Sequence, residues 1–381
     1  MKLYDICDYV TNRTINIENY ISTENMLPNK GGVCTSSNIP NGVAVEYRVG
    51  DVLISNIRPY FRKIWQADCN GACSGDVLCF RANDKVDSKY LYYLLSQQLF
   101  FDYVMSGAKG CKMPRGDKRQ IMQWGISLPS LEEQRRIAGI LGAIDDKIEN
   151  NRRINDNLEQ QAQALFDEWI SKSKTSKGVF DDIIQTTLAG DWGQETTQGN
   201  YTHEVFCIRG ADIPALQNGD KGKMPIRYIL EKNYKTKQLR ANDLVIEISG
   251  GSPTQSTGRI CMITQSLLDR LGKDVVCTNF CRAITPKNGY AIYIYLYWQM
   301  LYNKNTMFSY ENGTTGIKNL NIADLISKEP IEIPAQEDVE NLNIVLQPIF
   351  DQIYANGLQN ETLATFRDTL LPKLMNGEIK L

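Results

Sequence analysis

The chain has 381 residues, with 42 Lys and Arg against 44 Asp and Glu and 42% hydrophobic residues. These values are typical of a globular protein, and a net charge of −2 provides no overall attraction to nucleic acid. The chain has no apolar run of about 18 residues for a membrane span and no signal-peptide core, so we expect a cytoplasmic protein whose ten Cys are thiols.

Residues 1–129 predict a mixed α/β domain. Strands are predicted at 51–55, 77–80 and 125–128, where β-branched and apolar residues lie between turn signals. Residues 88–107 predict one helix that ends at a glycine. Its aromatic residues have the spacing of a core-facing stripe, which favours burial over base stacking; they are Tyr90, Tyr93, Phe100 and Phe101.

Residues 130–171 predict a long spacer helix. Its apolar residues recur in alternating steps of three and four, which is typical of a helix that packs lengthwise on another helix. Two positions of this seam are Asn, and a buried Asn fixes the register of a helix pair at a cost in stability. The predicted seam consists of Leu141, Ile144, Ile148, Asn151, Asn155, Leu158 and Leu165.

The same pattern returns 205 residues later, which indicates an internal duplication. Flanking motifs return with it: "GAKGCK" at 107–112 matches "GTTGIK" at 313–318, and "GDVLIS" at 50–55 resembles "NDLVIEIS" at 242–249. Pro372 is expected to end the second helix. The second seam consists of Leu346, Ile349, Ile353, Asn356, Asn360, Leu363 and Leu370.

The duplication divides the chain into domain, helix, domain and helix. We predict domains at 1–129 and 178–333, spacer helices at 130–171 and within 334–381, and a flexible basic linker at 172–177. In the second domain, strands are expected at "DLVIEIS" and "ICMIT", and a helix near 290–308. The predicted fold class is therefore α+β, with two mixed α/β domains each followed by a long helix.

The predicted domains are basic and the helical parts are acidic. Residues 1–129 and 171–333 each carry a net charge of +3, and residues 130–170 and 334–381 each carry −4. Lys and Arg beside glycine turns suit phosphate oxygens, although a solvated surface is the simpler interpretation of any one cluster. The candidate DNA-contacting residues are Arg58, Arg62, Lys63, Lys109, Lys112, Arg115, Lys118 and Arg119, then Lys221, Lys223, Arg227, Lys235, Lys237, Arg240, Gln255, Arg259 and Lys318.

The sequence contains no recognisable catalytic apparatus. Neither a phosphate-binding loop nor a dinucleotide-binding glycine fingerprint is present. Three residues separate the Cys of each close pair, Cys69 with Cys73 and Cys277 with Cys281, instead of the two of a metal knuckle, and His203 is the only His. We therefore expect no catalytic residue and no metal site.

These features together resemble the specificity subunit of type I restriction-modification systems. The resemblance covers essentially the whole chain. The segments that carry it are "GDVLISNIRPYFRK" at 50–63, "LPSLEEQRRIAGILGAIDDKIENNRRINDNLEQQAQALF" at 128–166 and "LATFRDTLLPKLMNGEI" at 363–379.

The resemblance implies a non-catalytic, DNA-binding subunit. Two target-recognition domains would each recognise half of a bipartite double-stranded DNA site, and their helices would pair as an antiparallel coiled coil. Two methyltransferase subunits that bind S-adenosylmethionine would be the partners, joined in a restricting complex by subunits that use ATP and Mg²⁺. The chain itself would hold no cofactor.

Two consequences and two alternatives follow. An antiparallel pair sets Asn151 against Asn360 and Asn155 against Asn356. In the second copy Val339 replaces Gln134, so the local contact of that glutamine is expected to be missing there. The alternatives are a targeting subunit of another methylation-based defence system and a helical scaffold without specific DNA binding. Salt-dependent, sequence-selective binding would exclude the scaffold.

Overall fold

The computed structural model describes residues 1–36, 38–252, 255–313 and 318–381. The chain forms two compact units: the first combines Met1–Asp146 with Leu363–Leu381, and the second is Lys147–Thr362. Among the described residues, no helix combines the length and apolar character that crossing a membrane requires.

The first unit contains a four-stranded and a three-stranded antiparallel sheet, and its α-helices follow the strands in the chain. Its elements are β1 (Cys7–Tyr9), β2 (Arg13–Thr14), β3 (Ala44–Tyr47), β4 (Val52–Ser55), β5 (Ile64–Gln66), β6 (Gly71–Cys73), β7 (Val77–Ala82), α1 (Ser88–Leu95), α2 (Gln98–Ser106), α3 (Lys118–Met122) and the start of α4 (Leu131–Lys172). The strand orders are β1-β7-β4-β5 and β2-β3-β6.

The second unit repeats this plan with a larger set of elements. They are β8 (Thr175–Gly178), β9 (Ile184–Ala189), β10 (Tyr201–Ile208), α5 (Ile213–Gln217), β11 (Ile226–Leu230), α6 (Glu231–Lys237), β12 (Leu244–Glu247), β13 (Ser249–Gly250), β14 (Ile260–Met262), α7 (Gln265–Leu271), β15 (Val275–Cys277), β16 (Cys281–Pro286), α8 (Ala291–Asn303), β17 (Glu311–Asn312), β18 (Lys318–Leu320), α9 (Ile322–Lys328), β19 (Ile331–Pro334) and α10 (Gln336–Met375).

The four-stranded sheets of the two units have the same strand order and register. The order β1-β7-β4-β5 of the first unit becomes β9-β16-β12-β14 in the second. Ser55 lies opposite Val77, and at the matching positions Glu247 lies opposite Cys281. The duplication inferred from short motifs is therefore a duplication of the whole sheet.

The predicted aromatic stripe is core, but the helix that holds it is broken. Tyr90, Tyr93, Phe100 and Phe101 are all buried. The segment forms two helices, α1 and α2, instead of one over 88–107. At the break, the buried Ser96 hydroxyl donates to the carbonyl of Tyr93 at 2.9 Å. A serine that bonds the preceding turn in this way competes with the helical backbone and can end it.

Two predicted segments differ from the structure because of their strand partners. Residues 125–128 form no strand, because their contacts with Met1 and Lys2 are too short to make a ladder. These contacts are a bond from Ile126 N to Met1 O at 2.9 Å and a bridge between Lys2 and Gly125. The equivalent β19 is a strand because β8 pairs with all four of its residues. The prediction of a flexible linker at 172–177 was therefore wrong: Lys172 ends α4, and Thr175–Gly178 form β8.

The start of each spacer helix is bonded to the loop before the preceding core helix. Gln134, which is 1% exposed, accepts from Asp87 N at 2.9 Å and donates to Lys85 O at 3.1 Å. In the second unit Val339 is buried, so this contact is missing as expected. Two other amides replace it.

The replacements bond the matching loop of the second unit. Gln336 donates to Asn288 O at 2.9 Å, and Asn343 donates to Gly289 O at 2.7 Å. Because both contacts satisfy backbone carbonyls just before α8, they restrain the start of α10 as Gln134 restrains that of α4. The connection is retained although the residue that makes it has changed.

The two spacer helices, of 42 and 40 residues, run antiparallel, as the Asn pairs show. Asn151 donates to the Asn360 side chain at 2.9 Å, and Asn356 donates to the Asn155 side chain at 2.8 Å. This is the predicted pairing. Asn155 is 1% exposed and also donates to two carbonyls, Ile353 O and Asn218 O, both at 3.0 Å.

Two details of the spacer helices differ from expectation. Leu165 is 42% exposed and Phe166 is buried in its place, so the seam position at this end was wrong. The helix rotates slightly from a strict heptad because 3.6 residues per turn do not divide seven evenly. The second helix also continues past Pro372 to Met375. A proline removes one helical hydrogen bond, but the last turn remains packed because Leu374 and Met375 are in the core.

Arg367 occupies a seam position as a charged residue with partners. Its guanidinium donates to the Asp145 carboxylate at 2.6 Å, and Asp145 accepts from the Tyr93 hydroxyl at 2.7 Å. Asp368 pairs with Lys30 at 2.9 Å. Burial opposes the charge of Arg367, but Asp145 and Asp368 raise its pKa overall.

A loop of the second unit approaches α10 at a glycine. A Cβ on Gly357 would lie 2.0 Å from Gly219 O, and a Cβ on Gly219 would lie 2.4 Å from Ile353 O. Beside this contact, Glu361 accepts from Arg270 at 3.0 Å and pairs with Lys221. Gly357 is therefore required for the loop to pack against the helix backbone.

Replacing Asn155 by Leu should lower the free energy of unfolding by about 1–3 kcal/mol, because the buried Asn356 amide and the Asn218 carbonyl lose their partner. Urea denaturation of the full chain measures the effect. Asn150→Leu, on an exposed turn of the same helix, is the matched control and should change it by about 0.5 kcal/mol or less. The double variant Asn155→Leu with Asn356→Leu should recover part of the loss; a larger loss in the double variant would contradict this account.

Candidate nucleic-acid interface

One edge of each four-stranded sheet collects the polar loops singled out in the sequence. In the first unit this edge lies where β4 ends and β5 and β7 begin. We call it the loop edge, and its two principal segments are loop A (56–63) and loop B (107–117). In the second unit loop A is 248–259 and loop B is 313–317, of which Pro253, Thr254 and Thr314–Ile317 lie outside the described residues.

In the first unit, backbone hydrogen bonds join loop A to loop B. Arg58 N donates to Pro114 O at 2.8 Å, and Ile57 pairs with Arg115 in an antiparallel bridge. Loop B is closed on itself by two reciprocal bonds of 2.9 Å between Lys109 and Arg115. The segments "NIRPYFRK" and "KGCKMPRGDK", which are far apart in sequence, thus form one surface.

In the second unit loop A is bonded to the residues that follow loop B. Ser249 pairs with Asn319 and Gly250 with Lys318, as β13 and β18. Ile248 O accepts from Leu320 N at 2.8 Å, next to these pairs. Ile57 and Ser249 lie at matching register positions of the repeated sheet, so loop A takes its partner from the same part of the repeat in both units, although the partner residues differ.

Loop B of the first unit and the start of α3 together expose five cationic side chains, and three of them have internal partners. Lys109 lies 3.4 Å from Asp117, Arg115 lies 3.2 Å from Asp76, and Lys118 donates to the Tyr9 hydroxyl at 2.7 Å. Such exposed pairs contribute little to stability and can be exchanged for phosphate oxygens. The other two are Lys112 and Arg119, which have no ion-pair partner among the described residues.

Asp117 is the carboxylate of this otherwise basic loop. Its side chain accepts from Arg119 N at 2.9 Å and from Gln120 N at 3.2 Å, capping α3. These backbone donors, together with Lys109, hold the pKa of Asp117 below its usual value. The residue is therefore used to shape the loop, and its charge is partly neutralised.

Loop A of the first unit places its cations closer to the protein. Arg58 and Arg62 are half-buried and both have left-handed backbone conformations, with φ of 50° and 52°. Lys63 donates to Thr23 O at 2.7 Å. Two exposed aromatic rings lie between the arginines: Tyr60 and Phe61, with centroids 4.7 Å apart. Sequence reasoning considered only the cations of this loop and missed the aromatic pair.

Several cations of the second unit are engaged within the protein. Arg259 makes two bonds of 2.7 and 2.6 Å to the buried Glu247, and Arg227, 7% exposed, stacks on Trp192 at 3.6 Å. The other engaged residues and their partners are Lys221 with Glu361, Lys237 with Gly190 O, and Lys318 with Glu311. These contacts use the charges to hold the loops.

Lys318 illustrates this structural use of charge. Burial opposes ionisation of Glu311, but bonds from Thr257 and Lys318 hold the pKa of Glu311 below its usual value. The ammonium of Lys318 also lies 4.5 Å from the Phe308 ring centroid. Four candidates of this unit remain exposed: Lys223, Lys235, Arg240 and Gln255, of which Lys235 lies 3.8 Å from Glu231.

The second unit also presents an aromatic residue that sequence reasoning missed. Phe280 precedes β16 at the loop edge, and its side chain is 60% exposed. Its position could have been found only by aligning the two sheets strand by strand, because the sequence around it, "TNFCR", is unlike the matching "SGDVL".

The single His is held by carboxylates, and most Cys lie inside the core, whereas Cys111 is exposed in loop B. His203 is held between Glu231 at 2.8 Å and Asp274 at 2.9 Å and stacks on Tyr234. All ten Cys are free thiols, seven of them buried, and burial raises the pKa of Cys7 to about 12. The described residues contain no group of three or more His, Cys, Asp or Glu side chains placed to hold a metal ion.

Comparison with known proteins shows which family the chain is similar to. Residues 1–160 match the family described as the type I restriction modification DNA specificity domain. The chain is thus related to the specificity subunits of type I restriction-modification systems, the family that its motifs resemble.

Named relatives agree with the family match. The chain is 27% identical over 320 residues to the specificity subunit of the type I restriction enzyme MjaIX from Methanocaldococcus jannaschii, covering 78% of this chain and 70% of that one. It is 23% identical to the HindI specificity subunit from Haemophilus influenzae, covering 94% of both. A crystal structure of the type I S subunit from M. genitalium is similar at 15% identity with a TM-score of 0.49, covering 98% and 95%.

Replacing Lys112 and Arg119 by Ala should weaken binding to any DNA sequence and reduce the slope of log K against log salt concentration by about 0.9 for each lost phosphate contact. Titrations of the assembled complex at several salt concentrations measure the slope. The charge-matched control is Lys2→Ala with Lys85→Ala, two exposed residues outside both loops, at the opposite edge of the sheet. Equal slopes for the loop variant and the wild type would contradict the assignment.

Proposed function

We propose that this chain is the non-catalytic DNA-recognition subunit of a type I restriction-modification complex, with one recognition domain for each half of a bipartite site. The observation that carries the proposal is the loop edge, built twice on the same strand register, with loop A bonded in the first unit to loop B and in the second unit to the residues that directly follow loop B. A duplicated recognition surface suits a target made of two separate half-sites.

The contents of the loop edge suit double-stranded DNA. Exposed Lys and Arg of loop B provide phosphate contacts, which position a protein on the duplex. Exposed Asn residues such as Asn312 and Asn319 provide amides that can bond base edges in the major groove. The two loop edges differ in these polar residues, and this difference supports the recognition of two different half-sites.

The methyl transfer itself would be performed by partners. Methyltransferase subunits would supply S-adenosylmethionine, and restriction subunits, in a complex that contains them, would supply ATP and Mg²⁺. The chain contributes the choice of site and the attachment of its partners. The alternatives are a targeting subunit of another methylation-based defence system and a helical scaffold without specific DNA binding.

The outer faces of the spacer helices suit two partner subunits. Ile140 on α4 is 39% exposed and Val345 on α10 is 55% exposed, and these residues are related by the repeat of 205. Further exposed apolar residues on the same helices are Ile154, Ile344, Leu358 and Phe366. Exposed apolar residues that recur in both repeats mark a surface for protein contact, and two matching surfaces suit two identical partners.

The test of the proposed function is methylation-sensitive long-read sequencing of DNA from cells that express this chain with its methyltransferase partner. One bipartite motif should be methylated. Exchanging residues 178–333 for the second domain of another family member should change one half of that motif and leave the other intact, because each domain with its helix is one repeat. Methylation without a sequence motif, or a change in both halves, would contradict the proposal.

Replacing Ile140 by Asp should remove one of two bound methyltransferase subunits, and replacing Val345 by Asp as well should remove both, because a buried unpaired carboxylate is costly in an apolar interface. Size-exclusion chromatography with light scattering measures the mass of the complex. Leu99→Asp, at a 68% exposed position of α2 outside both helices, is the matched control and should keep both partners. Full occupancy in the double variant would exclude this surface.

A further inference from the structure

The loop edge of the second unit presents a large apolar side chain, Phe280, beside polar residues. Phe280 is 60% exposed. Full burial of a phenylalanine side chain would stabilise a fold by about 1.5–3 kcal/mol, so most of this stabilisation is not used here. Around it, Ser249, Asn312 and Asn319 are polar. The fold thus leaves an aromatic ring in solvent at the place where the recognition loops meet.

The backbone that presents this ring is fixed on both sides. Phe280 N donates to the Thr278 hydroxyl at 3.3 Å, and Phe280 O accepts from Ile248 N at 2.9 Å. Thr278 is itself 1% exposed and donates through its backbone to Ile208 O at 2.9 Å. The backbone position of Phe280 at the loop edge is therefore fixed, which is the first requirement for a contact with a ligand at a defined place.

The duplication identifies the matching position in the first unit. Asp76 precedes β7 as Phe280 precedes β16, and Asn56 N donates to Asp76 O at 2.9 Å just as Ile248 N donates to Phe280 O. The Asp76 carboxylate lies 3.2 Å from Arg115 of loop B. The position is therefore part of the recognition surface in both units, with an acid in one and an apolar ring in the other.

The chemistry of the ring restricts what it can recognise. Phenylalanine neither bonds the donors and acceptors of base edges nor attracts phosphates. The apolar group that base pairs present in the major groove is the 5-methyl group of thymine, with which phenylalanine makes apolar contact. An exposed ring on a fixed backbone, among hydrogen-bonding residues, is complementary to that methyl group.

We propose that Phe280 is a specificity-determining residue of the second domain that contacts the 5-methyl group of a thymine in its half-site. The proposal rests on the proposed function and adds one base contact to it. A ring inserted between base pairs from the minor groove would be the other apolar use of phenylalanine, and it would not depend on the methyl group.

The experiment uses the assembled complex with its methyltransferase subunits and the bipartite motif found by sequencing. Each thymine of the second half-site is replaced in turn by deoxyuridine, which lacks only the methyl group. For the wild type, one replacement should weaken binding about fourfold. Phe280→Ala should bind the thymine duplex about as weakly as the wild type binds the deoxyuridine duplex. The affinity of this variant should be the same for both duplexes.

Two further variants separate a lost contact from a damaged fold. Phe280→Leu keeps an apolar side chain and should retain part of the preference for thymine over deoxyuridine. Ile226→Ala removes another exposed apolar side chain of the same unit, on β11. This variant should retain the full preference for thymine over deoxyuridine. Both should leave the first half-site unchanged.

The outcomes distinguish the inference from the function beneath it. The thymine contact is refuted if no deoxyuridine replacement lowers the affinity of the wild type. It is also refuted if the replacement lowers the affinity of Phe280→Ala as much as that of the wild type. In both cases the bipartite motif stands. A wild-type complex without a bipartite motif would refute the proposed function instead.

Discussion

The hydrogen bond between Asn155 and Asn356 is the constraint on which the arrangement of the spacer helices depends. An apolar seam alone would permit the helices to slide by a turn, because leucine and isoleucine pack acceptably in several registers. A buried amide is satisfied in one register only, and a displaced one would remain without partners. Asn155 adds a bond to the Asn218 carbonyl, so the same residue that fixes the helix pair also holds a loop of the second unit.

This constraint has a counterpart at the starts of the helices. Gln134 in the first unit, and Gln336 with Asn343 in the second, bond the carbonyls just before the core helix of their own unit. Polar contacts thus define where each spacer helix begins and how the pair is aligned, whereas apolar contacts provide most of the packing. This division is common because hydrogen bonds are directional and apolar contacts are not.

The loop edge combines one scaffold with two different surfaces. Both units share the sheet register and one backbone bond at its edge, from Asn56 N to Asp76 O in the first unit and from Ile248 N to Phe280 O in the second. The side chains at these edge positions differ, as Asp76 and Phe280 do. Such positions tolerate change because they contribute little to the core.

The sequence by itself determined the duplication, the two long helices and the Asn pairing. Heptad spacing and a repeat of 205 residues can both be seen in the order of the residues, without knowledge of their contacts. It also identified the loops that form the candidate interface. It did not determine which cations are free. Arg259 and Lys318 look like exposed loop residues in sequence, but Glu247 and Glu311 hold them, because these carboxylates meet the cations only when the strands pair. Ser96 divides a helix through a bond to the nearby Tyr93, which apolar spacing does not reveal. The tertiary structure likewise decided that Phe280 is exposed beside loop A and that β8 replaces the expected linker, since its partner strand β19 is distant in sequence.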